Sequence, residues 1–230
     1  MGLNRHQGER LRPLHILRLG LIVCVSFGLA SCASTKNLVL DTTFPVPLMN
    51  KVPVRLAFHL DDTLLSYVYS EKIEKKGQWN VELGSVQTKL FNNLAAGIFE
   101  QHTIVATNSA PGLDGVLKPS ITDLQFSLPD QTRSDFYEVW IRYNFDLYDS
   151  NGNPIGNWPL TAYGKASKND FSSSSSGVEA AAIAACRDAM AFFAINFTKV
   201  PIVKKWLANG KPQKPPAAPS AAESGEDGKT

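Results

Sequence analysis

The clearest hydrophobic pattern in the chain is a strict alternation over residues 137–149. Every second side chain is apolar, and most of those between them are polar. The apolar set is Val139, Ile141, Tyr143, Phe145 and Leu147. A period of two predicts a strand with one buried face. The Asn151-Gly152 pair that follows predicts a tight hairpin, since both residues tolerate positive φ, and a return strand over about 155–167.

Other stretches predict four more strands, over residues 52–59, 79–83, 102–107 and 116–128. Pro159 in the return strand indicates an edge or a bulge, because proline lacks the amide that a central strand needs. The segment 63–73 fits a short helix or a strand equally well.

Two segments change to a helical period. Over residues 85–101, Val86, Leu90, Leu94 and Ile98 form one apolar stripe. A second helix is predicted from Ser176, which stands three residues before Glu179 as in a capping box, to about residue 199.

The second predicted helix is apolar nearly all round, but Arg187 and Asp188 interrupt it. This argues against a membrane span. Cys186 lies among its alanines, where we expect a small buried side chain rather than a reactive thiol.

The order of elements predicts the fold class. Strands and helices come in separate runs, and long strands are joined by a hairpin, which is typical of α+β proteins. We therefore expect an α+β fold with a single antiparallel β-sheet and two main helices packed on one face.

The first residues have the pattern of a secretory signal: four arginines by residue 18, an apolar run over 19–30, and small residues before Cys32. Leu29-Ala30-Ser31-Cys32 resembles the lipobox of bacterial lipoproteins. That resemblance implies a signal peptide over 1–31, acylation of Cys32 and a membrane anchor. Ala33 is not the aspartate that retains such proteins at the inner membrane, so the resemblance implies the inner leaflet of the outer membrane, facing the periplasm.

Composition divides the rest of the chain. Residues 32–51, with Pro45 and Pro47, are expected to form the lipidated cysteine and a tether, residues 52–208 the α+β periplasmic domain, and residues 209–230 a disordered Pro/Ala-rich tail. Residues 33–230 hold 19 basic and 20 acidic side chains, a net charge near −1. This balance argues against a nucleic-acid partner.

Few residues have the types or spacing that catalysis needs. His59 and His102 are the histidines after the signal, and each lies at the end of a predicted strand. Asp61-Asp62 is best interpreted as a turn or helix cap, and the sequence has no phosphate loop, dinucleotide fingerprint or Cys/His cluster. We therefore expect no enzyme activity, no cofactor and no metal.

Four aromatic residues near the predicted hairpin are candidates for a partner surface: Trp140, Tyr148, Trp158 and Tyr163. Trp140 and Tyr148 stand on the polar side of their strand. Either the helices or a loop cover them, or they form an exposed aromatic patch on the helix-free face.

The lipobox and the order of elements together resemble small outer-membrane lipoproteins of the YajG type and the PqiC-like auxiliary lipoproteins of ABC-type lipid transporters. This resemblance implies a non-catalytic, lipid-anchored accessory protein that docks on an envelope complex of the lipid-transport or secretion type. A second hypothesis is a structural or regulatory lipoprotein of the cell wall, of the peptidoglycan synthase activator type.

Overall fold

The computed structural model describes residues 34–209. This part of the chain holds eight strands, five α-helices and two short 3₁₀ turns, at Lys168–Asp170 and Phe197–Lys199. The strands are β1 (Thr35–Val39), β2 (Val52–His59), β3 (Val68–Ile73), β4 (Gly77–Glu82), β5 (Phe99–Val105), β6 (Gly115–Ser127), β7 (Phe136–Tyr148) and β8 (Pro154–Ser167). The helices are α1 (Asp62–Leu65), α2 (Gly84–Ile98), α3 (Pro129–Thr132), α4 (Ser174–Asn196) and α5 (Pro201–Asn209).

The strands form two mixed sheets, so the expected single antiparallel sheet is wrong. The smaller sheet has the order β1-β4-β3, and the larger has the order β5-β2-β6-β7-β8. β1 pairs with β4 in parallel, and β2 pairs in parallel with both β5 and β6. Parallel neighbours need a long crossover. The segment from α1 to α2 supplies it between β2 and β5.

Both long helices cover the same face of the larger sheet. Phe91 of α2 lies edge-on to Tyr143 and Phe145 of β7, with ring centroids 6.2 and 6.1 Å apart. Phe193 of α4 contacts Phe145 at 4.9 Å. The smaller sheet packs on this face too, since Trp79 of β4 lies 5.4 Å from Phe126 of β6. One hydrophobic core therefore joins both sheets and both helices.

The segment expected to be a tether contributes to that core. Leu38, Leu40 and Phe44 are buried, and β1 pairs with β4 over its whole length. The amide of Asn93 on α2 donates to the Phe44 carbonyl at 2.6 Å, which holds the segment against the helix. The domain therefore includes residues that precede position 52. Five residues of β1 were too few to produce a clear alternation in the sequence.

Two local predictions differ in detail. Helix α4 begins earlier than expected, because Ser173, not Ser176, is its N-cap: the Ser173 hydroxyl accepts the Ser176 amide at 3.1 Å. The turn between β7 and β8 is longer than a two-residue hairpin. The Asp149 carboxylate accepts the amides of Asn151 and Asn153 at 2.9 and 2.8 Å, and Gly152 has φ +90°. The predicted tail lies outside the described residues except for Asn209, which ends α5.

Candidate functional site

The second face of β6, β7 and β8 carries the aromatic pair that the sequence suggested. Trp140 of β7 lies opposite Tyr163 of β8, and their ring centroids are 5.3 Å apart. The two side chains are 36% and 38% exposed. We call the surface formed by Trp140, Tyr163 and their polar neighbours on this side of the sheet the open face. Within the described residues it is the opposite side of the sheet from α2 and α4.

Hydrogen bonds hold Tyr163 in place. Its hydroxyl donates to Glu138 Oε1 at 2.6 Å, and its backbone amide donates to Asp188 Oδ2 of α4 at 2.9 Å. The hydrogen bond to Glu138 raises the pKa of Tyr163 to about 12, because a phenolate there would face a carboxylate. The phenol is therefore neutral at physiological pH and acts as a fixed donor.

A depression of about 200 Å³ adjoins Trp140 on the open face. Its lining also includes Asp123, Gln125, Arg142 and Thr161, which come from three strands. A β-bulge in β6 between Ile121 and Asp123 shifts the register at this place. The result is an apolar ring beside a carboxylate, an amide, a guanidinium and a hydroxyl, which can bind a ligand that has both apolar and hydrogen-bonding groups.

The other two aromatic candidates lie elsewhere. Trp158 faces the core side, stacked on Phe145 with centroids 5.5 Å apart and lying near Phe193. Tyr148 is half-buried and packs against a small second cluster that includes Ala110 and Val116. The four residues therefore do not form one patch: Trp140 and Tyr163 pair, whereas Trp158 and Tyr148 are separate from them.

Sequence reasoning missed part of the open face. Gln125 and Thr161 were not singled out in the sequence, and the register places them beside Trp140 and Arg142, respectively. The predicted Asn151-Gly152 turn already implied the pairing of Arg142 with Thr161, but no sequence signal aligned β6 with β7.

Comparisons with solved structures give weak similarity. A protein of family DUF330 from Xanthomonas campestris is 10% identical, with a TM-score of 0.47; the match covers 77% of this chain and all of that one. A candidate lipoprotein from Caulobacter crescentus is 12% identical, with a TM-score of 0.35 and coverage of 55% of this chain and 84% of that one. A hypothetical protein from Chlamydia trachomatis is 8% identical, with a TM-score of 0.33 and coverage of 69% and 95%.

At TM-scores below 0.5, these similarities support no functional argument for this chain. No protein-family model and no curated protein matches the sequence.

The titratable residues singled out in the sequence lie in different environments. His59 Nδ1 lies 2.6 Å from Asn108 Oδ1. Partial burial and the nearby Lys51 lower the pKa of His102, which favours its neutral form. Cys186 is fully buried, and burial raises its pKa to about 12.

Asp61 is the N-cap of α1, as the sequence suggested for this acidic pair. Its carboxylate accepts the Leu64 amide at 3.0 Å and lies 2.9 Å from Lys118 Nζ. Partial burial acts to raise the pKa of Asp61, but the Leu64 amide and the Lys118 ammonium outweigh it, so the pKa lies below its usual value. Asp62 is the first residue of α1, in the first turn, where a negative charge interacts favourably with the helix dipole.

Two further features concern the described residues as a whole. Between Ser34 and Asn209, no group of three or more His, Cys, Asp or Glu side chains could hold a metal ion. In the same range, no helix is long and apolar enough to cross a membrane. Cys32, the predicted lipidation site, lies outside the described residues.

Proposed function

We propose that this chain is a non-catalytic, lipid-anchored periplasmic protein that docks on an envelope complex through its open face. The observation that carries the proposal is the exposed Trp140–Tyr163 pair on a sheet whose other face is packed by helices. Tryptophan and tyrosine combine a large apolar area with a polar atom, and they are the residues that most often dominate protein interfaces. An envelope complex of the lipid-transport or secretion type is the partner we propose.

The anchor comes from the lipobox-like residues. Leu29-Ala30-Ser31-Cys32 supports cleavage before Cys32 and acylation of its thiol, and Ala33 supports sorting to the inner leaflet of the outer membrane. Several acyl chains, at about 0.8 kcal/mol per buried CH₂, bind a membrane far more tightly than one. The domain would then face the periplasm.

We propose that the protein is not catalytic because its reactive side chains are buried or already paired. The Cys186 thiol lies 4.0 Å from the Tyr143 hydroxyl inside the core, so a substrate has no access to it. The Asp61 carboxylate caps a helix and pairs with Lys118. A nucleophile must instead lie beside a base at an accessible place.

Photo-crosslinking in cells tests the docking role. A photoreactive residue replaces Gln125, which is exposed beside Trp140, and a matched control replaces Ala191, which is exposed on α4 at the other side of the molecule. We expect an envelope protein to be crosslinked from position 125 only, with the yield falling at least tenfold on Cys32→Ala or Trp140→Ala. Equal crosslinking from both positions would contradict docking through the open face.

The depression beside Trp140 favours a second candidate function, binding to the cell wall. An aromatic ring can pack on the apolar face of a sugar while Gln125, Arg142 and Thr161 bond to its hydroxyl and amide groups. Such a protein would act as a structural or regulatory lipoprotein of the peptidoglycan synthase activator type. Retention of the protein on purified sacculi, lost in Trp140→Ala and kept in Ala191→Ser, would support this function over the first. No retention of the unaltered protein would exclude it.

A further inference from the structure

The domain begins very close to the lipidation site. β1 starts at Thr35, and the Gln78 amide already donates to the Ser34 carbonyl at 3.0 Å. Leu38 and Leu40, which follow directly, are 3% and 2% exposed. The backbone is therefore fixed to the domain from Ser34 onward, only two residues after Cys32.

Covalent geometry limits how far the domain can stand from the membrane. Two residues span at most about 7 Å when fully extended. The polar headgroup layer of one leaflet is itself about 5–7 Å thick, from a hydrocarbon core of about 30 Å in a bilayer of about 40–45 Å. If the Cys32 acyl chains lie in the hydrocarbon, Ser34 cannot rise above the headgroups by more than a few ångströms.

The structure shows which residues lie beside Ser34. Gly77 is packed so closely on Ser34 that a Cβ there would collide with the Ser34 carbonyl. The β3–β4 turn, residues 74–76, is thus next to the anchor, and Lys76 forms an ion pair with Asp130 of α3. We call Ser34, this turn and α3 the anchor end of the molecule.

We propose that the anchor end lies in the phospholipid headgroup layer, with the β3–β4 turn in direct contact with headgroups. This inference rests on the proposed acylation of Cys32. The observation that carries the inference is the short connection between Cys32 and the folded domain. Glu74 and Lys75 of the turn and Lys72 near the end of β3 are exposed, so this part of the anchor end presents both charges. Phosphatidylethanolamine also carries both charges, a phosphate and an ammonium, and is the headgroup that this arrangement complements.

Fluorescence quenching on vesicles tests the contact. The mature, acylated protein, which begins at Cys32, is reconstituted into phosphatidylethanolamine vesicles that contain a minor fraction of phosphatidylglycerol and a headgroup spin-labelled lipid. A fluorophore is attached through Lys75→Cys or, as the matched control, Asn151→Cys. Both positions are exposed turn residues, and about 40 Å of strand β7 separates the two ends of the molecule. Cys186 is buried and does not compete for the label.

We expect the spin-labelled lipid to quench the fluorophore at position 75 at least twofold and to leave the one at position 151 unchanged. Glu74→Cys, at the neighbouring exposed position, replaces Lys75→Cys if the latter is unstable. Equal, weak quenching at both ends of a vesicle-bound, acylated protein would overturn the inference and leave the proposed anchor intact. A mass spectrum showing unmodified Cys32 would overturn both.

Discussion

Cys186 lies in a small polar network inside the core. Its thiol faces the Tyr143 hydroxyl, which donates to Gln87 Oε1 at 3.3 Å, and Gln87 Nε2 donates to the Leu83 carbonyl at 3.1 Å. Gln87 is the buried polar side chain of the described core. Each of these polar atoms has a partner, so burial of the group is compatible with a stable core.

This environment predicts the reactivity of the thiols. With its pKa raised to about 12, Cys186 is almost entirely protonated at pH 8, and the thiolate is the reactive form. If Cys24 is removed with the signal and Cys32 is acylated, Ellman's reagent should detect no thiol in the native mature protein and one per chain in guanidinium chloride. Two thiols in the denatured protein would mean that Cys32 carries no lipid on its sulfur.

At the scale of single residues, the sequence predicted which side chains are buried better than it predicted which side chains lie next to each other. The expectation that Cys186 is buried is confirmed. The four aromatic candidates were grouped because they are close along the hairpin, but Trp140 and Trp158 project from opposite faces of the sheet. Trp158 and Tyr163 are five positions apart in β8, so a period of two places them on opposite faces of the sheet.

At the scale of elements, strand β1 allows a sharp test of whether the segment before residue 52 is part of the folded domain. Leu38→Ala should lower the free energy of unfolding by about 2–5 kcal/mol, as expected for a buried leucine. Val39→Ala on the same strand should change it by less than about 0.5 kcal/mol, because Val39 is 52% exposed. Equilibrium unfolding in urea measures both. Similar small effects at the two positions would mean that β1 is not part of the folded domain.

The contact between α4 and β8 depends on Gly164. A Cβ at this position would collide with the Ala181 carbonyl and the Ala185 amide. These are helix backbone atoms, which cannot move away by a change of rotamer as a side chain can. Gly164→Ala should therefore lower the free energy of unfolding by about 3 kcal/mol, the upper end of the usual range for overpacking. Thr161→Ala, exposed on the same strand, should lower it by less than about 1 kcal/mol. Equal losses in a urea titration would contradict the close packing.

Elements with a long, regular pattern and the β7–β8 hairpin were predictable, whereas the pairing of strands distant in the sequence was not. The alternation of β7 and the apolar stripe of α2 follow from local side-chain order, and both elements are present. The parallel pairs β1–β4 and β2–β5 join residues far apart in the sequence. No local pattern specifies such partners, because the paired residues lie more than 40 positions apart in the sequence.

For the whole molecule, acylation of Cys32, as proposed, combined with the short connection to the domain would place the open face near the membrane. Trp140 is four residues from Phe136, the end of β7 nearest the anchor end, which is about 14 Å of strand. A partner that binds the open face must therefore reach close to the bilayer.

A spacer tests this placement. About ten Gly and Ser residues inserted between Ala33 and Ser34 add a mean span of about 17 Å. We expect quenching at position 75 by headgroup spin labels to be lost, while the urea midpoint of the protein stays the same, because the insertion precedes β1. Unchanged quenching would show that something other than the connection holds the turn at the membrane.

The parallel pairing of β1 also sets an order in time. Thr35 pairs with Gln78, so the first strand of the domain has no partner until β4 has been synthesised. During that interval the segment behind Cys32 cannot fold into place, and closing so long a loop is slower than forming a hairpin. If Cys32 is acylated and cleaved, as proposed, we expect these modifications during that interval to act on a chain in which β1 has not yet paired with β4.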